Sequence, residues 1–450
     1  MPNRLSFLSA LVASLCASGF AIAAQAQIFA QPQARIVRSV DESVSVSIPG
    51  NVHPLAAAAA ALSTPAEDGT PMEHMILYLN GDATQEAQLT QLIAQQHDPK
   101  SPLFHKFLTP QAFGAQFGVA QSDLTKVTMW LESHGFQVEQ TPAGNRAIVF
   151  SGTSEQVASA FKTEIRQYTV AGATHYANAT DPQIPSALTG AVGGVVKLND
   201  FKHTATLSKA TALTAAQAAN PQYTSGNGHY LAPSDYAIIY NINPLYTAGI
   251  NGTGETIAVL ARSNIYMSDV QSFRNFSGLP ANNPQIVIAN SDPGVLQGDS
   301  VETTLDTEWS GAIAPKATIK VIVAASTNSA DGIDLAALYA VNNNVAPVIS
   351  LSYGSCEAWM GSGGLAYYNS LWKQAAAQGQ SVMVSAGDSG AAGCDGGSQT
   401  TGYYGQAING LCSSPYATCV GGTQFVDTSN PSQYWLPGNN GTNGSAISYI

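Results

Sequence analysis

Two carboxylates four residues apart, Glu302 and Asp306, lie in the segment GDSVETTLDTEWSGAIAP. On a helix that spacing puts both on one face, one turn apart. Like charges so placed oppose each other, so a pair facing a cleft holds a proton to higher pH than either carboxyl alone. A shared proton suits a carboxylate general base and the partner that orients it. A plainer reading is also open: Asp299-x-x-Glu302 resembles a capping box, whose acids would simply favour a helix N-terminus. A third carboxylate, Asp388, sits in SVMVSAGDSGAAGC, just past an apolar run and between glycines. By pattern alone its first role is an Asx turn or a helix cap.

The histidines narrow the chemistry further. All eight lie at positions 53, 74, 97, 105, 134, 175, 203 and 229, so none follows 229. A Ser-His-Asp site beyond that point would have to borrow an imidazole such as that of His229. Otherwise its base must be a carboxylate, a Lys or a Tyr. Two serines imitate known nucleophiles. Ser389 in GDSG resembles the nucleophile loop of trypsin-like enzymes, which need a His and an all-β barrel. Ser154 in SGTS resembles a subtilase nucleophile, lacks the following Pro and reads as a helix N-cap.

The elements that must position these groups follow from apolar spacing. From about Met75, MILYLN alternates like a strand, and Gln85–Gln96 carries apolar residues at helical spacing. Thr109 caps a helix with Pro110 at its first position. Asp123–His134 and Ser154–Lys162 read as further helices, and GFQVEQT, NRAIVFSG and EIRQYTV as strands. This mixture predicts an α+β domain over 75–202, preceded by an extended lead-in over 27–74. Residues 203–226 are rich in Ala, Thr and Ser and read as a linker open to proteolysis. Over 227–450 the apolar runs GETIAVLA, IKVIVA, APVISLSY and SVMVSAG alternate with helical stretches starting near Ser268, Gly298, Asp331 and Gly364. That alternation predicts a parallel sheet with right-handed crossovers and chemistry at the carboxyl ends of its strands.

Composition places the protein. Residues 1–26 read as a secretory signal: Arg4, an apolar run over 5–23, then Ala24-Gln25-Ala26. Cys16 falls in that signal, leaving Cys356, Cys394, Cys412 and Cys419. Four cysteines in an exported chain suggest two disulfides with three possible connectivities. The short loop favours Cys412 with Cys419, which leaves Cys356 with Cys394. Zinc is disfavoured, because there is no C-x-x-C and no nearby His. The 17 Lys and Arg against 29 Asp and Glu give a net charge of −12. From Tyr230 onward 14 acids face 5 bases, a balance of −9, so most of the acidity sits in the second domain. Such a chain lacks the footprint of a nucleic-acid binder or of a polybasic membrane-surface protein, and no stretch after the signal is long enough to span a membrane.

From about Met75 to the last residue the chain resembles the sedolisins, the serine-carboxyl peptidases, with their pro-kumamolisin-type activation domain. The resemblance is carried by HDPKSPLFHKFLTPQAFGAQFG, VFSGTSEQVASAF and YLAPSDYAIIYNINPLYTAGINGTGETIAVL, then by ETTLDTEW, PVISLSYGSCE, VSAGDSGAAGC and SSPYATCVGGT. It implies a subtilisin-like α/β catalytic domain preceded by an α+β, ferredoxin-like prodomain. It implies Glu302 as general base, Asp306 as its partner and Asp388 as a protonated oxyanion donor, in an acid-active peptidase made as a zymogen. Protein or peptide substrates and the prodomain, as an intramolecular inhibitor, are the implied partners. The family's nucleophile lies in a Gly-Thr-Ser segment after the VGGT motif, followed by a calcium site. Neither segment occurs between Thr423 and Ile450, so the catalytic domain is expected to be C-terminally incomplete and the 450-residue chain inactive. Calcium is expected from the family, with ligands beyond Ile450. The rival reading is a non-catalytic pseudo-peptidase, or an inhibitor or binding protein of the prodomain type.

Overall fold

The computed structural model describes residues 31–205, 224–225, 228–229, 231–395, 401–426, 429–437 and 444–448. The expected signal, and most of the expected linker over 203–226, lie outside the described residues.

The lead-in contains β1 (Ser45–Ser47), a one-turn helix α1 (Pro54–Ala58) and β2 (Thr64–Pro65). It is extended for most of its length, yet it is anchored. Ile36 is fully buried in the core of the first domain, and the Arg35 and Ile36 amides donate to the Asp123 carboxylate at 2.7 and 3.1 Å. Val40 and Ile48 pack on the same core and β1 pairs with β8, but these contacts are scattered along the lead-in and leave no periodic signal.

The first domain follows as β3 (Pro71–Leu79), α2 (Ala83–His97), α3 (Pro110–Phe117), α4 (Gln121–Ser133), β4 (Gln137–Gln140), β5 (Ala147–Thr153) and α5 (Ser154–Phe161). It closes with β6 (Ile165–Val170), β7 (Ala173–Asn178), β8 (Gln183–Pro185) and β9 (Val192–Val195). The antiparallel order β4-β5-β3-β9 is that of a ferredoxin-like βαββαβ unit, with the β6–β7 hairpin inserted before the last strand. Caps set the helix starts: Asp82 and Gln85 form a capping box, and Thr109 accepts from the Ala112 amide at 3.1 Å. At α5 the cap is Thr153, one residue before the expected Ser154. Ser154 is instead the first helical residue, and its hydroxyl donates to the Glu67 carbonyl.

Beyond it come β10 (Thr204–Ala205), the hairpin β11 (Thr224–Ser225) and β12 (Gly228–His229), α6 (Pro233–Ile239) and α7 (Asn243–Thr247). The α/β domain proper is β13 (Thr256–Ala261), α8 (Met267–Phe276), β14 (Gln285–Ile288), α9 (Ser300–Ile313), β15 (Thr318–Val323) and α10 (Gly332–Asn342). It continues with β16 (Val348–Leu351), β17 (Tyr353–Gly354), α11 (Glu357–Ala377), β18 (Ser381–Ser385) and β19 (Thr418–Val420). Six strands pair in parallel in the order β14-β15-β13-β16-β18-β19. From β13 the chain runs to the edge strand β14 and back to β15 on one side, then through β16, β18 and β19 on the other, so the crevice beyond the carboxyl ends of β13 and β16 is the topological switch point. Ile333, Ala336, Ala337 and Val341 of α10 and Trp372 of α11 are buried against this sheet, which explains why its strands read as unbroken apolar runs. Among the described residues no helix is long and apolar enough to cross a membrane.

Candidate active site

The carboxylate pair occupies the first two turns of α9, beside the switch-point crevice. Glu302 is only 3% exposed, on the face of α9 shared with buried Thr303 and Thr307. Its Oε2 and the Asp306 Oδ2 are buried and have no hydrogen-bond partner among the described residues. Asp306 Oδ1 accepts from the Ser352 hydroxyl at 2.8 Å. Burial, then the Asp306, Asp388 and Asp299 charges, push the Glu302 carboxyl up to about 8. Burial pushes Asp306 up to about 7 against the pull of the Ser352 bond. Two carboxyls that retain protons near neutrality, with unsatisfied oxygens, have the character expected of a base and its partner.

The plainer capping-box reading fails on geometry. Asp299 is the N-cap residue of α9, but its side chain makes no cap bond. Its carboxylate grips Arg262 in a fork, Nε at 3.0 Å and Nη2 at 2.8 Å. Arg262, just past the end of β13 and 6% exposed, also binds the Asp331 carboxylate at 3.0 Å and the His203 carbonyl at 2.6 Å. Its guanidinium lies 5.0 Å over the Tyr353 ring.

Asp388 follows β18 and the positive-φ residue Gly387, and it lines a cavity of about 570 Å³ between the two domains. Its charge acts on Glu302, so the structure brings all three predicted carboxylates into one electrostatic neighbourhood. The cavity is faced by His53, Phe201 and His203 on the first domain's side, and by Ser355, Trp359 and Asp388 on the other. The disulfides are Cys356–Cys394 and Cys412–Cys419. The first ties the loop after β17 to the loop carrying Asp388, and both its cysteines line the cavity.

The segment leaving the first domain enters this crevice as a strand. β10 pairs antiparallel with β17, Thr204 opposite Gly354 and Ala205 opposite Tyr353. The pairing begins one residue past Ser352, whose hydroxyl holds Asp306. His203 fixes it: its amide donates to Asp331 at 2.6 Å and its Nε2 lies 2.8 Å from Asp334 Oδ1. Sequence reasoning missed Arg262, Ser352, His203, Asp331 and Asp334. Arg262 was the one within reach, as one of two arginines beyond residue 230 and at the carboxyl end of a buried strand. Among the described residues no group of three or more His, Cys, Asp or Glu side chains is placed to hold a metal ion. The described residues therefore offer no calcium cage.

The chain is similar to several known proteins. Residues 59–201 match the family described as Pro-kumamolisin, activation domain. Sedolisin of Pseudomonas sp. (strain 101) is 29% identical over 351 residues, covering 76% of this chain and 59% of its own length. Kumamolisin of Bacillus sp. (strain MN-32) is 26% identical over 354 residues, covering 75% and 60%. The solved structure of Pseudomonas sedolisin complexed with two molecules of pseudo-iodotyrostatin is 26% identical, with a TM-score of 0.37, covering 48% of this chain and 62% of that one. The chain is thus similar to members of the sedolisin family, with an activation-domain match over 59–201. It spans about three fifths of the length of the curated relatives named here.

Proposed function

We propose that the protein is the zymogen of an exported, acid-active serine-carboxyl endopeptidase, with its first domain as inhibitory cover. The observation that carries this reading is the buried Glu302–Asp306 pair at the switch point, with β10 laid as an extra strand beside it. A peptide substrate would pair with Tyr353–Gly354 as Thr204–Ala205 does, main chain to main chain. Glu302 takes the proton from the attacking serine hydroxyl, Asp306 shares the resulting proton and charge, and Asp388, protonated, donates to the oxyanion. The serine would be that of the Gly-Thr-Ser segment which the family resemblance implies. A base that ionises as a carboxylate and a donor that must be protonated act together only below neutrality. With its carboxyl pushed up to about 8, Glu302 holds its proton at pH 7 and becomes a base only once its surroundings change. Cleavage within 203–226 would free the second domain.

The test is acid incubation with a denatured protein substrate, using this chain and a longer version carrying the Gly-Thr-Ser segment. The longer version is expected to shorten itself and then hydrolyse substrate, and the 450-residue chain to do neither. Hydrolysis by the shorter chain, or none by the longer at any acid pH, would overturn the reading.

A further inference from the structure

His53 belongs to the lead-in, upstream of the residues that match the activation-domain family. It is 8% exposed, yet nothing in the reaction uses it. Its ring stacks on Phe201, with centroids 4.1 Å apart and planes at 12°, and meets Trp359 of α11 edge-on at 5.8 Å. His175 stacks on Phe201 as well, at 4.4 Å. His53 Nδ1 accepts the Leu55 amide at 3.3 Å as the N-cap of α1. That bond needs a lone pair on Nδ1, so the imidazole must be neutral for the cap to exist.

The backbone around it bridges the two domains. Gly361 breaks α11 at a φ of 64°, and a Cβ there would stand 1.8 Å from the Gly50 carbonyl oxygen. The Ser362 hydroxyl donates to the Pro49 carbonyl at 2.8 Å. On the other side the Gly50, Asn51 and Val52 amides all point to the Asp181 carboxylate. His53 therefore closes one wall of the cavity, and Phe201 beneath it lies two residues before His203, where the covering strand begins.

We propose that His53 is a latch, holding the lead-in against Phe201 and Trp359 while its imidazole is neutral and releasing it on protonation. The proposal rests on reading the first domain as an inhibitory cover, and it assigns the acid trigger to a histidine rather than to the catalytic carboxyls.

The charges facing His53 favour this. Lys197, His175 and His203 are the bases that act on it, and α1 itself carries no charge. Nearby carboxylates are engaged elsewhere: Asp200 with His175 at 2.9 Å, Asp334 with His203, and Asp181 with the three amides. Asp388, Asp395 and the base Lys202 also line the cavity. Burial, then those bases, hold His53 down to about 3, from an ordinary 6.5. A neutral closed form and an open form that protonates normally differ most in acid. Between pH 7.5 and pH 4 the equilibrium shifts toward the open form by roughly 300-fold.

The experiment uses the full 450-residue chain. Hydrogen exchange of residues 49–58 is followed from pH 7.5 to pH 4, corrected for the intrinsic rate. Protection in the wild type is expected to fall by about two orders of magnitude. His53→Asn, which caps without titrating, and His53→Phe, which stacks without titrating, should each lose most of that fall. Equal pH dependence in all three proteins would overturn the proposal. Should either variant fail to fold, imidazole NMR of the wild type decides. Titration of His53 well below 5 supports the latch, and titration near 6.5 refutes it. Neither readout needs peptide hydrolysis, so an inactive protein would count against the proposed function and not against the latch.

Discussion

Replacing Glu302 with Gln should shift stability relative to wild type by about 3 kcal/mol more favourably at pH 7 than at pH 4. The Glu302 carboxyl is raised from an ordinary 4.5 to about 8. A raised acid favours the folded state fully below the unfolded value, and that contribution disappears as pH climbs through the folded one. At pH 7 the unfolded chain has lost this proton and the folded chain still holds it, a penalty of about 3 kcal/mol. At pH 4 both states are largely protonated and the penalty is close to zero. The Gln amide inherits a buried position without a partner, a cost of about 1–3 kcal/mol that does not depend on pH. The difference between the two pH values therefore isolates the carboxyl. For a domain of this size about 3 kcal/mol corresponds to roughly 6–12 °C in Tm. Calorimetric melts of both proteins at pH 4 and pH 7 measure it. A Tm difference that is the same at both values would refute the claim that Glu302 is held protonated by its surroundings.

Three further outcomes follow from the same contacts. Ser352→Ala removes the bond that draws Asp306 downward, so carboxyl NMR should find Asp306 titrating above about 7. Arg262→Met strands Asp299, Asp331 and the His203 carbonyl, and urea unfolding should show a loss of about 3–5 kcal/mol. Opening Cys356–Cys394, which spans 38 residues, should cost about 4 kcal/mol, and opening Cys412–Cys419, which spans 7, about 2.5 kcal/mol, seen as unequal Tm losses in the paired Ser variants.

The regular elements were readable because their signals are local. Buried parallel strands such as TIAVLA and TIKVIV appear as apolar runs, and α2 and α4 show helical spacing. The edge strands β14 and β19 are only 4 and 3 residues long and half-exposed or exposed, too short for their apolar residues to stand out as a run. The Glu302–Asp306 spacing and the missing histidines were legible too, since both are properties of the string. What decides between base and cap was not, because Asp299 is drawn away by Arg262 from a strand end 37 positions earlier. Ser352 and His203 reach their partners across separations of 46 and 131 residues. No window along the chain contains such pairs. The lead-in shows the same limit: isolated core residues such as Ile36 and Ala56, and the ring stack of His53, give no period to detect.

The central claim is that the buried carboxyl pair is the catalytic base of a peptidase. Its most direct test is the rate of peptide hydrolysis by full-length, acid-processed protein carrying Glu302→Gln, compared with wild type near pH 4. A general base contributes about 10²–10⁴-fold, so kcat should fall by at least two orders of magnitude with KM little changed. Retention of wild-type kcat would contradict the account.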